Sequence, residues 1–455
     1  MGKQNKTINT VKVREDDTPI RFLASDDPER FTFETKQQLD WCQDSTFSKH
    51  ELRTRIEPWL TSLFQSEHLS LLVGSGLTSA VQYAACGKSD NGMGADAHFT
   101  VFADEIKQAA DRMAKDAHRG LANIEDQIRA ANELVRGLDI IKDGAKFQRL
   151  RSQLIQLQEE LSAVIEKFTS GVSQGEYLIA SADQKKREEA FHQLILFLMS
   201  FASRTGTRDR LHIFTTNYDR LIEAGADLAG LRLIDRFVGA LSPIFRSSRI
   251  DVDMHYNPPG IRGEPRYLEG VARFTKLHGS LDWLNIGDDI RRIGLPFGVK
   301  TLAPFLEAEG LGGAYPRLMI YPNSTKDRET AEYPYVELFR DFAAALCRPN
   351  STLVIYGYSF GDDHINRVIR DMLTIPSTHL VIISYDDSSG RILEKYNGWG
   401  RNSQISLLIG KDVADLGELV RYYLPKPAID RATMRMAEIL RQRFSQPRDN
   451  KIEGE

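Results

Sequence analysis

The chain reads as an α/β protein built on a doubly wound parallel sheet, and three observations carry that expectation. Short apolar runs rich in Val, Ile, Leu and Phe recur at residues 69–73, 211–214, 352–356 and 379–384. Stretches with apolar residues at helical spacing separate them. Several runs end in Gly, Ser, Thr, Asn or Asp where the next helix should start, which is the pattern of strand–helix–strand units with a parallel sheet.

Composition bounds the rest. At 455 residues the chain can hold one large α/β domain with extra elements, or two domains. Its 59 Lys and Arg against 63 Asp and Glu leave a formal charge of −4, so no general electrostatic attraction to nucleic acid is expected beyond a local patch. Nucleic acid would be met only indirectly. No run approaches the roughly 18 apolar residues of a membrane span, and the opening MGKQNKTINTVKVREDD has no apolar signal core. A cytoplasmic protein without membrane contact is expected. Cys42, Cys86 and Cys347 are far apart and form no CxxC pair, which argues against a disulfide framework. The ten histidines fall in no metal motif such as HExxH, so no metal is expected.

Taken in order, residues 1–47 are polar and mixed in charge and read as a partly disordered arm, ordered only where a partner covers it. Residues 49–65 place Leu52, Ile56, Leu60, Leu63 and Phe64 at helical spacing, with Pro58 as an interruption. Residues 69–73 are the first strand; Gly74-Ser75-Gly76 is the turn after it, and the next helix is expected near Thr78. Residues 86–97 read as a glycine-rich mobile loop.

Residues 99–204 form a helical insertion. One stripe is Phe102, Ile106, Ala109 and Met113; a second, near-heptad, is Leu150, Leu154, Leu157, Leu161 and Ile165. The second stripe packs inside the domain or against another subunit. Residues 205–425 resume the sheet and, with 48–98, make the main domain. Strands are expected at 231–237, 273–278 and 317–321, a loop at 247–265, irregular chain at 285–313, and helices at 335–347 and 361–373. Helices at 412–424 and 431–444 flank PKP, so 426–455 reads as a C-terminal helix and polar tail.

The organising stretch is 211–219, LHIFTTNYD. In an open α/β sheet ligands sit outside the carboxyl ends of the strands, so Thr215, Thr216, Asn217 and Asp219 would face a site. Asn217 or Asp219 capping the helix at 220–229 is the competing reading. Gly74 and Gly76 would let the backbone approach a pyrophosphate at a helix N-terminus, although many strand-to-helix turns contain two glycines. His278 closes another apolar run. Its unperturbed pKa of about 6.5 suits a base, whereas a histidine alone in such a place is more often a satisfied core residue.

In order, GSGLT (74–78), TTNYD (215–219) and LHGS (277–280) resemble three signature segments of the sirtuin superfamily. GYSFGDDHIN (357–366) looks like its fourth, in the version seen in bacterial sirtuin-like NAD hydrolases of antiphage defence. Most of the chain between these motifs shows no resemblance. What the motifs imply is a Rossmann-like, sirtuin-like domain over 48–98 and 205–425, with NAD as substrate. Gly74, Ser75, Gly76 and Thr78 would cradle the pyrophosphate. Thr216, Gly357, Ser359 and Phe360 would line the dinucleotide, and Asp219 would place the nicotinamide carboxamide. Residues 384–387, SYDD, fall where the family holds the adenosine. Asp362 and Asp363 read instead as first-turn carboxylates that favour the helix dipole and would repel a phosphate.

Cleaving the nicotinamide–ribose bond expels a neutral group and builds positive charge on the sugar. Little acid is needed; a polar group for the ribose and water, and a base, are. By resemblance these are Asn217 and His278. The chain departs from protein-deacylating sirtuins in lacking the two Cys pairs of their zinc module and the recognisable loop that closes over nicotinamide. The implied activity is therefore NAD glycohydrolase, depleting NAD in antiphage defence. A non-catalytic NAD- or ADP-ribose-binding subunit beside an ATPase or nuclease is the alternative, and a protein deacylase a weaker one. Related defence systems pair such a subunit with a ring-forming HerA-type ATPase, so that partner and a homo-oligomer are implied.

Overall fold

Four strands precede the first helix: β1 (Ile8–Lys12), β2 (Ile20–Ala24), β3 (Arg30–Phe33) and β4 (Thr46–Ser48). The computed structural model describes residues 7–426 apart from 14–15, 36–38, 40, 43, 90–96, 117–120, 142–147, 203–208, 257–265, 307–317 and 321–332. The expected arm is thus corrected. These strands pair antiparallel in the order β4-β3-β2-β1 and extend the main sheet. Phe22, Phe31 and Phe47, spaced too widely for a local pattern, close a buried aromatic cluster with ring centroids 4.9 to 5.5 Å apart.

Helix α1 (Lys49–Phe64) starts in a reciprocal cap: Ser48 Oγ accepts the Glu51 N–H at 3.2 Å, and Glu51 accepts the Ser48 N–H at 2.7 Å. Leu52, Ile56, Leu60 and Phe64 bury one face, which holds the helix through Pro58. Strand β5 (His68–Val73) runs directly into α2 (Ser75–Cys86). This helix begins earlier than Thr78, because Ser75 and Gly76 are its first turn rather than a separate loop.

Helices α3 (Ala103–Asp116), α4 (Ile124–Ile141), α5 (Gln148–Ala180) and α6 (Gln184–Ala202) follow. Then come β6 (His212–Thr215), α7 (Leu221–Ala229), β7 (Arg232–Ile234), β8 (Phe237–Val238), β9 (Ile244–Phe245), β10 (His255–Tyr256), β11 (Arg266–Tyr267) and β12 (Val271–Lys276). Next are β13 (Gly279–Ile286), β14 (Asp289–Arg292), α8 (Ala303–Leu306), β15 (Leu318–Ile320), α9 (Tyr335–Leu346), β16 (Ser351–Tyr356) and α10 (Asp363–Met372). The described chain closes with β17 (His379–Ser384), α11 (Arg391–Trp399), β18 (Ile405–Ile409), α12 (Lys411–Ala414), α13 (Leu416–Glu418) and a π-helical turn, Leu419–Tyr423.

The 11-stranded sheet has the order β4-β3-β2-β1-β18-β17-β16-β5-β6-β12-β7. From β18 to β7 every pairing is parallel, and the expected α/β fold class holds. Its parallel strands are buried on both faces. Leu71, Ile213, Val354 and Val381 pack with α1, α2, α6 and α7, whereas Leu72, Phe214, Ile355 and Ile382 pack with α9, α10 and α11. A third cluster joins α3, α4 and α5 to β13 and β15, with Leu154, Leu157, Leu161 and Ile165 buried in it beside Leu281 and Leu284. The Leu stripe therefore packs within the chain.

Two further expectations change. Residues 285–313 are not wholly irregular, since β14 pairs with β13 and β9 in a five-stranded antiparallel sheet. The helix expected at 412–424 is broken into α12, α13 and the π-helical turn, with Asp415 capping the second piece. The helix at 431–444, the tail and most of the loop at 86–97 lie outside the described residues.

Candidate active site

From the central strand β5 the chain builds outward through β6, β7 and β12, then crosses back to β16 on the other side of β5, and such a switch opens a crevice at the carboxyl ends. Gly74 and Gly76 after β5 meet Gly357 after β16 there. Gly76 N–H donates to Gly357 O at 2.9 Å and Gly74 N–H to Tyr356 O at 3.0 Å. A Cβ on Gly74 would sit 2.4 Å from Gly357 O, and one on Gly76 would sit 2.6 Å from Gly357 Cα. Gly357 itself has φ +62°. Close backbone packing thus gives these glycines a reason independent of any phosphate. Ser75, exposed at the first position of α2, is the member of the turn whose side chain is open.

Thr215 and Lys276 are register partners on β6 and β12, so Asn217 and His278 each lie two residues past paired strand ends. Asn217 is 8% exposed. Its Nδ2 donates to Gly74 O at 3.0 Å and to Thr78 Oγ1 at 3.1 Å. Gly74 O can only accept, which fixes the amide orientation and commits both amide hydrogens. Oδ1 is left as the acceptor. Thr78 Oγ1 in turn donates to Asp219 Oδ2 at 2.7 Å, and Asp219 Oδ1 caps α7 by accepting the Leu221 N–H at 3.1 Å. Asp219 thus accepts the first N–H of α7, as the capping reading had it, and also holds Thr78. Thr216 is half-buried, and its N–H donates to Val73 O.

His278 Nε2 faces Asp362 Oδ2 at 3.0 Å, with side chains 26% and 24% exposed. Asp362 Oδ1 accepts the N–H groups of His364 at 2.8 Å and Ile365 at 3.4 Å, capping α10. The Tyr358 hydroxyl fixes the same residue through its peptide, accepting the Asp362 N–H at 3.2 Å. Burial alone would raise the Asp362 pKa. The hydrogen bond and charge of His278, with His364 adding, outweigh it and hold the carboxyl well below the usual carboxylate range. The sequence reading took Asp362 as a first-turn carboxylate, whereas it is the N-cap of α10, and missed its partner, 84 residues away. An acid in the fourth motif, past the carboxyl end of β16, was the available signal.

Ser359 is half-buried, and its carbonyl accepts Arg391 Nε at 2.9 Å. Phe360 departs from expectation. Its ring is 1% exposed and packs on Tyr358 and Trp399, so it serves the core and its side chain is closed to a dinucleotide. Of SYDD, Ser384 is buried and Tyr385 is 52% exposed.

Two ion pairs, one fully buried and one with a buried cation, support the TTNYD loop, and neither was read from sequence. Glu176 of α5 accepts the Arg220 N–H at 2.7 Å and pairs with its guanidinium. Lys276, 2% exposed, pairs with Glu223 at 3.0 Å. Burial, with Asp282 adding and Lys276 opposing, pushes the Glu223 carboxyl up to about 7. The helical insertion also touches the loop at Tyr218, whose hydroxyl donates to Glu125 at 2.9 Å and whose ring stands edge-on to Phe168.

A parallel, Rossmann-like α/β sheet thus brings a polar amide and a His–Asp pair together past the carboxyl ends of β6, β12 and β16. Residues 211–400 match the SIR2-like domain family. The match runs from β6 through α11 and covers TTNYD, LHGS and GYSF; it supports a sirtuin-like family and NAD-related chemistry. No curated protein matches the chain. Among the described residues no cluster of three or more His, Cys, Asp or Glu is arranged to hold a metal, and no helix is long and apolar enough to cross a membrane.

Proposed function

We propose that the chain hydrolyses NAD at the nicotinamide–ribose bond, releasing nicotinamide and ADP-ribose. The observation that supports this best is the His278–Asp362 pair at the strand end beside Asn217, whose amide hydrogens are already committed. Asp362 accepts the Nε2 proton of His278, so that Nδ1 is the nitrogen that takes up and gives back a proton. His278 then takes a proton from the attacking water or a ribose hydroxyl, and Asp362 stabilises the imidazolium formed. Asn217 Oδ1 accepts a hydrogen bond from a ribose hydroxyl or that water. Thr78 and Asp219 keep the amide turned that way. Ser75, Thr216 and Ser359 present polar groups along the same strand ends.

Asn217→Ala and His278→Ala should each abolish nicotinamide release, followed by chromatography, while thermal melting stays near wild type. Full turnover by either folded variant removes that residue from the mechanism.

By resemblance to defence proteins of this plan, the activity depletes NAD during phage infection and is held in check by assembly. A homo-oligomer joined by a HerA-type translocase ATPase is the proposed form, in the cytoplasm. Light scattering should show an oligomer, and co-expression with the ATPase should give one larger complex with altered NAD turnover. A monomer with constant, full NAD cleavage would sink this part.

A further inference from the structure

Lys276 is a buried ammonium that the proposed chemistry does not use, and a buried cation persists only with strong partners. Its Nζ donates to Asp219 O at 2.5 Å, to Tyr218 O at 3.4 Å and to Glu223 Oε1 at 3.0 Å. The Tyr218 carbonyl also accepts the Leu281 N–H at 3.1 Å and Ser280 Oγ at 3.4 Å. Residues on both sides of His278 therefore grip the peptides that directly follow Asn217.

We infer that Lys276 is a positioning residue whose ammonium ties the Asn217 loop to the His278 loop and sets the spacing between them. The inference rests on the reading of Asn217 and His278 as the reacting pair. An apolar side chain would fill the same space; what the ammonium adds is direction, since one cation fixes two successive carbonyls. Glu223 supplies the counter-charge, and Asp282, Arg220 and Arg292 are the other charged groups that act on it or respond to it.

Lys276→Met alone leaves Glu223 without its cation and destabilises the fold for that reason. The deciding variant is Lys276→Met with Glu223→Gln, which removes both charges. It should melt close to wild type yet lose about a hundredfold in kcat for nicotinamide release, the effect of roughly a 1 Å misplacement, with KM little changed. Recovery of kcat together with melting temperature would overturn the inference, because the single variant's loss would then be that of an orphaned charge.

Hydrogen exchange gives a readout independent of turnover. The amides of Asn217, Leu221 and Leu281 should exchange about tenfold faster in the double variant, as expected for losing one charge-assisted hydrogen bond. Unchanged exchange sinks the clamp. Faster exchange in a protein whose wild type releases no nicotinamide keeps the clamp and sinks the NAD reading.

Discussion

Asp362→Asn separates the two tasks of one carboxylate. Asp362 Oδ1 caps α10 and Oδ2 holds His278 Nε2 at 3.0 Å. An asparagine keeps an oxygen for the cap, so the contribution of about 1 kcal/mol expected of such a cap is retained. Its NH2 group, however, now donates to Nε2 and forces the imidazole proton onto Nδ1. The base is lost, and so is a charge-assisted bond of about 1.5–3 kcal/mol, or roughly ten- to a hundredfold in kcat/KM. Asp362→Ala should lose the same activity and also destabilise by the cap's amount. The assay is nicotinamide release over a range of NAD concentrations, paired with urea denaturation of each variant. The pH dependence has a definite sign. A carboxyl held below its ordinary range adds stability above its unfolded pKa of about 4 and loses it as pH falls through the folded value. Wild type should therefore exceed Asp362→Asn in stability at neutral pH, and the difference should begin to shrink as pH falls below about 4. Full kcat/KM in Asp362→Asn would refute the tautomer argument.

Three further outcomes are expected. Glu223, raised from 4.5 to about 7, costs stability as pH rises from its unfolded value through its folded one; the melting temperature of Glu223→Gln relative to that of wild type should rise between these pH values, and a constant difference would contradict it. Gly76→Ala would drive a Cβ to 2.6 Å from Gly357 Cα, both on backbone that cannot yield cheaply, so a loss of about 1–3 kcal/mol or more is expected in urea denaturation; wild-type stability would show that the two loops are not so tightly joined. Dialysis against a chelator should leave melting and NAD cleavage unchanged, and a loss restored by zinc or magnesium would reveal a metal requirement.

The parallel core was legible because buried strands on both faces read as unbroken apolar runs, as 352–356 and 379–384 do. Strand β18 carries the same signal in ISLLI and went unread, along with α11 before it. The N-terminal strands were hidden for a different reason. INTVK is more than half polar, and its burial comes from pairing with β18, some 400 residues along the chain, while IRFLA pairs in turn with β1. At the site, motif order identified Asn217 and His278 as residues at strand ends, yet the bonds that orient them span long distances: Thr78 to Asp219 across 141 residues and His278 to Asp362 across 84. Lys276 stood in plain view within FTKLHGS, but only burial shows that its charge must be answered by carbonyls. Phe360 misled because a motif position says nothing about which way a ring turns.

Cleavage of the nicotinamide–ribose bond is tested most directly by incubating the purified full chain with NAD in water enriched in heavy oxygen and separating the products by mass. Equimolar nicotinamide and ADP-ribose carrying one heavy oxygen are expected, and both should vanish with Asn217→Ala. NAD left intact by the wild-type chain, alone and co-expressed with the proposed ATPase, would contradict the proposed activity.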